Sequence, residues 1–142
     1  MSPRIYFEQE LELLKSKVSE MGERAEISYD RLVYAVKGND GETIKLLLDS
    51  DRQMIDMQRG IEAKCLTLLT KQQPVARDLR LVSSALKVVT DIERVGDHVS
   101  DIAELYLRMK EFNPDGSYEE KLLLMMEEAK NMLHESDRKS VV

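Results

Sequence analysis

The chain has 142 residues, enough for one domain with a buried core, and a formal net charge of −6 with no basic run to offset it, which excludes a nucleic-acid-binding surface. Charged residues reach 34% and aromatics only 5%, with three prolines and six glycines. This excess of helix formers over breakers predicts an all-α fold.

No apolar run approaches the roughly 20 residues of a membrane span, so no direct membrane insertion is expected. The opening stretch MSPRIYFEQELELL lacks the continuous apolar core of a signal peptide. The single cysteine, Cys65, has no intrachain partner for a disulfide, which fits a reducing, cytoplasmic compartment. Within its helix it reads as a small buried apolar residue.

The first predicted helix runs from about Arg4 to Lys37. Phe7, Leu11, Leu14, Val18, Met21, Ala25, Ser28, Leu32 and Ala35 recur in alternating steps of four and three, a coiled-coil-like packing seam. A rod of this length measures on the order of 45–50 Å and needs equally long neighbours. On the same helix Glu26 and Asp30 form a carboxylate pair at i,i+4. The Lys37–Gly41 stretch is a short turn, in which Asn39 or Asp40 can cap the second helix. So short a connection makes the two helices antiparallel neighbours.

The second helix covers about 41–70, with a seam of Ile44, Leu47, Asp51, Met54, Gln58, Ile61, Cys65 and Leu68. A buried Asp51 requires a charged or hydrogen-bonding partner, for which Arg77 and Arg80 are candidates. Otherwise it sits at the edge of the seam and reaches water.

Pro74 marks the start of the third helix, which ends near Phe112 before the breaker cluster Asn113-Pro114-Asp115-Gly116. Its apolar face is Leu81, Ala85, Val88, Ile92, Val95, Val99, Ile102 and Tyr106. A column of acids, Glu93, Asp97, Asp101 and Glu104, lies in a separate sector of roughly 80°, so it lines an outer face or a flank. Like charges at i,i+4 repel, and hard cations take carboxylate oxygens. The column therefore reads either as a solvated face or as a cation site. His98 follows Asp97 but points about 100° away from it, which makes shared ligation awkward.

Ser117-Tyr118-Glu119-Glu120 is a capping box opening a fourth helix. Tyr118, Leu122, Met125, Ala129 and Met132 repeat the four-three spacing, and Leu123, Met126 and Leu133 widen the stripe. From Glu135 onward the sequence is mostly polar and is expected to fray; His134 reads as a surface residue.

Three long helices carrying PVARDLR (Pro74–Arg80) and DIERVGDHVSDIA (Asp91–Ala103) in the third resemble the PhoU family of phosphate-response regulators over about residues 5–112. The resemblance implies an antiparallel three-helix bundle over residues 4–112, with 117–137 as a fourth helix that begins a second such repeat. It further implies that Glu93 and Asp97 ligate a metal ion, iron or zinc, with Asp101 as the next carboxylate and Glu26 and Asp30 as additional ligands. The implied role is a non-enzymatic adaptor that negatively regulates phosphate uptake and the phosphate-starvation response, in contact with a phosphate ABC transporter and a sensor histidine kinase. The alternative is a metal-binding or purely structural helical interaction protein with no phosphate role.

The chain departs from the family pattern in stopping at Val142, with no second signature of the Glu-Arg-x-Gly-Asp kind. The unmatched stripe of the fourth helix then predicts a homo-oligomer. A monomeric four-helix bundle results if that helix folds back instead.

Overall fold

The computed structural model describes residues 3–71, 75–112 and 118–141. Four helices occupy them: α1 (Pro3–Lys37), α2 (Gly41–Lys71), α3 (Ala76–Phe112) and α4 (Glu119–Val141). The expected ends agree within a residue or two, except that α4 continues to Val141 where fraying was expected from Glu135. Pro74, the Asn113–Gly116 breakers and Ser117 of the capping box lie outside the described residues.

α1 and α2 are antiparallel, tied by Lys64 Nζ to Glu10 Oε2 at 3.0 Å near one end and by Arg24 Nη1 donating to Gln53 Oε1 at 2.9 Å further along. Their connection is a Schellman turn. Asn39 takes a positive φ of 55°, the Asp40 amide donates to the Ala35 carbonyl at 2.9 Å, and the Asn39 amide donates to Val36. Asp40 then caps α2, accepting from the Thr43 amide and hydroxyl at 3.3 and 2.6 Å. Tyr106 of α3 donates its hydroxyl to the Asn39 side chain and meets Tyr118 edge-on at 6.0 Å. One tyrosine therefore joins the α1–α2 turn, the end of α3 and the start of α4.

The core follows the predicted seams closely on α1 and α2: Phe7, Leu11, Leu14, Val18, Met21, Ala25, Leu32, Ile44, Leu47, Met54, Ile61, Cys65 and Leu68 are buried. On α3 the buried face is broader than a single stripe. It adds Val82, Val89, Gly96 and Ala103, whereas Leu81 and Ala85 are only half-buried. The reason is that α3 packs against three helices at once, α1, α2 and α4.

α4 lies against α3 and α1, and among the described residues it does not pack on α2. It buries Tyr118, Leu122, Met126, Ala129 and Leu133, with Met125 and Met132 half-covered. Of the two outcomes expected for this stripe, the structure has the fold-back, with the stripe lying in the groove between α1 and α3. Leu122 and Met126, both fully buried, contribute roughly 1.5–3 kcal/mol each relative to exposure.

In the polar core Asp51 takes the second of its two expected places, half-buried at the edge of the seam. Asp78, not Asp51, is the fully buried acid, at 1% exposure. Arg4 grips it through Nη1 to Oδ2 at 2.6 Å and Nη2 to Oδ1 at 3.2 Å, and the Val75 amide donates to Oδ2 at 3.3 Å. Asp78 is the third residue of α3, so its carboxylate also reaches back to satisfy an otherwise unpaired amide of the first turn. The guanidinium holds the Asp78 carboxyl below the usual range, against the opposing effect of burial.

Candidate functional site

The acids of α3 occupy the flank that faces α2, while α4 covers the opposite flank. The division follows from periodicity. Val88, Val95 and Ile102 form one edge of the buried face, and Glu93 and Ser100 form the other.

Where this second edge meets α2, Asp51 approaches Gly96. A Cβ on Gly96 would stand 3.9 Å from Asp51 Oδ1 and 3.9 Å from Met54 Cε. A methyl group there would be in ordinary contact with both, so alanine would fit at residue 96, and the Asp51 carboxylate lies close to the α3 backbone. Ala25 and Ser28 of α1 complete the wall of a small cleft, of about 10 Å³, lined also by Ser50, Asp51 and Ser100.

Asp51 is half-buried, and its electrostatic neighbours are Asp97, Ser100 and Asp101. The pairing with Arg77 or Arg80 does not form, because those arginines sit near the start of α3, about half the length of the helix away from Gly96 and Ser100. Burial, then the negative charge of Asp97, push the Asp51 carboxyl up, opposed by the hydroxyl of Ser100 donating to it.

Glu93 is pushed further, to about 7. Partial burial is the largest cause, followed by a hydrogen bond with Asp97 and the charges of Asp97 and Asp51, with Arg94 opposing. Near neutral pH the Glu93 carboxyl therefore still carries its proton part of the time, because ionising it would place a second negative charge beside Asp97. Asp97 and Asp101 are exposed, and Glu104 reaches Arg108 at 4.0 Å instead of joining the group.

The remaining candidates separate from this site. Glu26 is half-buried and Asp30 exposed, and neither acts on Glu93 or Asp51. α1 meets the acidic edge through Ala25 and Ser28. Among the described residues no three His, Cys, Asp or Glu side chains are gathered closely enough to hold a metal ion as they stand. Asp51 was legible in the sequence as a polar break in an apolar seam, but its role at this edge was not. Ser28 was legible as a polar member of the α1 seam, whereas nothing local distinguishes Ser50 and Ser100 from surface serines.

A family model described as the PhoU domain matches residues 18–106, which include this whole junction. A phosphate-specific transport system accessory protein PhoU homolog from Synechocystis is 34% identical over 133 residues, covering 94% of this chain and 59% of that protein. Its counterpart from Clostridium acetobutylicum is 39% identical over 107 residues, covering 75% of this chain and 49% of that one. The phosphate-specific transport system accessory protein PhoU of Escherichia coli is 31% identical over 101 residues, covering 71% and 42%. The chain thus spans about half the length of the curated relatives it matches.

Proposed function

The chain belongs to the PhoU domain family, and from that membership we propose that it is a non-enzymatic regulatory accessory to a phosphate transport system, restraining phosphate uptake and the phosphate-starvation response. Its partners in this reading are a phosphate ABC transporter and a sensor histidine kinase. The names of its relatives support the phosphate role. No helix among the described residues is long and apolar enough to cross a membrane, so contact with a transporter would be made by helix surfaces.

The acidic edge of α3 is the surface we assign to regulation, with Glu93 and Asp97 as metal ligands and Asp101 as the next donor. The observation that carries this is the Glu93–Asp97 pair beside Asp51, where negative charge is crowded enough to hold a proton near pH 7. A hard cation would displace that proton and neutralise the group, drawing the carboxylates together. The donors are all oxygen, a set that suits a hard cation, and the metal in this reading is iron or zinc. When bound, the metal would supply positive charge through which phosphate could be sensed, since bare carboxylates repel it. Glu26 and Asp30 join only if a second metal is held on α1.

The test is a host deprived of its own relative and carrying a phosphate-starvation reporter. Expression of the chain should lower reporter output, and the Glu93→Gln/Asp97→Asn double variant should fail to do so. Elemental analysis of both proteins, purified without chelator, accompanies it. Reporter repression by the metal-free double variant would sink the metal reading, and no repression by the parent chain would sink the phosphate role.

A further inference from the structure

We propose that the open groove between α2 and the first half of α3 is a docking site for an acidic amphipathic helix of a partner protein. This goes beyond the regulatory reading and does not rest on it, since the groove ends where the acidic edge begins, at Glu93.

Arg4 and Asp78 bring the starts of α1 and α3 together, so α3 runs parallel to α1 and antiparallel to α2. Three such helices leave three outer grooves. α4 fills the one between α1 and α3. Polar side chains bridge the one between α1 and α2, Lys64 to Glu10 and Arg24 to Gln53. The third, between α2 and α3, carries no helix among the described residues.

Its lining follows from the register at Asp51 and Gly96. Leu69 is 18 residues beyond Asp51 on α2, and Leu79 is 17 residues before Gly96 on α3, so the two leucines stand level across the groove. Leu86 lies midway between Leu79 and Glu93, on the row of α3 that faces α2. Leu69 and Leu86 are half-buried and pack on the core, forming the floor. Leu66 at 62%, Val75 at 55% and Leu79 at 41% stand open around it. Together they make a contiguous apolar strip, unlike single exposed leucines elsewhere on the surface.

Charge identifies the occupant. Over residues 55–70 of α2 and 75–90 of α3, the exposed charges beside this groove are Arg59, Arg80 and Lys87, and no ion pair among the described residues involves them. The acid on the same strip is Glu62, half-buried and accepting from Gln58 Nε2 at 3.2 Å. The other charges of these stretches are turned elsewhere. Asp56 lines the hollow against α1, Lys64 pairs with Glu10, Asp78 is held by Arg4, and Arg77 falls on the opposite flank of α3. An apolar floor with a basic rim selects a helix that carries leucine-like residues on one face and Asp or Glu beside them. A lipid surface takes apolar side chains that project into it, whereas this floor is recessed between two helices. The α1–α3 groove of the same bundle already accepts a helix, α4. From residue 55 to residue 69 the groove is about 21 Å long, the length of a four-turn partner helix.

The probe is a fluorescein-labelled synthetic peptide of about 18 residues, long enough to hold a helix, with leucines on one face flanked by glutamates. Titration with the 142-residue chain, followed by fluorescence anisotropy, should give saturable binding. Leu66→Glu, and separately Arg59→Glu with Lys87→Glu, should weaken it roughly tenfold or more with helix content unchanged. Lysine in place of each glutamate of the peptide should weaken it as much. Leu124→Glu, at an exposed position of α4, should leave binding intact. Failure of the acidic peptide to bind would overturn the proposal, as would binding that survives both groove variants or is lost with Leu124→Glu. Flotation of the chain with phosphatidylglycerol vesicles, lost in the groove variants while the peptide stays unbound, would reassign the face to lipid.

Discussion

Glu93→Gln isolates the crowding on the acidic edge, because glutamine mimics the protonated acid in shape while carrying no charge at any pH. In the folded chain the Glu93 carboxyl loses its proton near 7 instead of 4.5. Below about pH 4.5 parent and variant are both neutral at this position and should be equally stable. As pH rises from there to about 7, the unfolded chain releases the proton first, so the parent loses stability and the variant does not. At full strength the shift corresponds to roughly 3 kcal/mol; a half-buried side chain is partly screened, leaving about 1 kcal/mol. For a chain of this size that is a gain of roughly 3–4 °C in Tm for Glu93→Gln at about pH 8, shrinking towards zero as pH falls below 5. The assay is thermal denaturation followed by circular dichroism, in chelator-treated buffer, across that range. A Tm gain that does not change with pH, or a loss at pH 8, would refute the reasoning, since only a charge that titrates in this window produces the slope.

Glu93→Gln/Asp97→Asn should abolish bound iron or zinc, read by elemental analysis, with helix content unchanged; stoichiometric metal retained in that variant would reassign the ligands. Arg4→Ala strips the buried Asp78 carboxylate of its main partner and should lower Tm clearly more than Glu8→Ala, whose carboxylate meets Arg4 only at the surface, at 3.2 Å. Because the Asp78 carboxyl is depressed, the stabilisation lost in Arg4→Ala should be complete above about pH 4 in the parent and fade on acidification below it. Leu122→Ala, at a position with no exposure, should cost about 2–5 kcal/mol in urea denaturation. Removing residues from Asn113 onward uncovers the α3 face at Val95, Ile102 and Tyr106, so the shortened chain should bind more apolar dye and aggregate more readily than the parent.

Local sequence determined the helices of this protein, their lengths and the faces that α1 and α2 bury, while the breadth of the buried face of α3 came from its three neighbours. The four-three spacing on α1 and α2 is a property of consecutive residues, and so is the separation of Glu93, Asp97 and Asp101 from the apolar stripe of α3. Asn39 and Asp40 were legible for the same reason, since a turn and a cap draw on neighbours within four residues. Tertiary structure decided everything that depends on which helix stands opposite. Asp51 and Asp78 are both acids in helices rich in apolar residues, and only packing shows that Asp78 meets Arg4, 74 residues away, while Asp51 meets the serine and carboxylates of the α3 flank. The apolar stripe of α4 is equally suited to a groove in its own chain or to another molecule. The choice between them rests on the distance between α1 and α3, a quantity that no stretch of consecutive residues encodes.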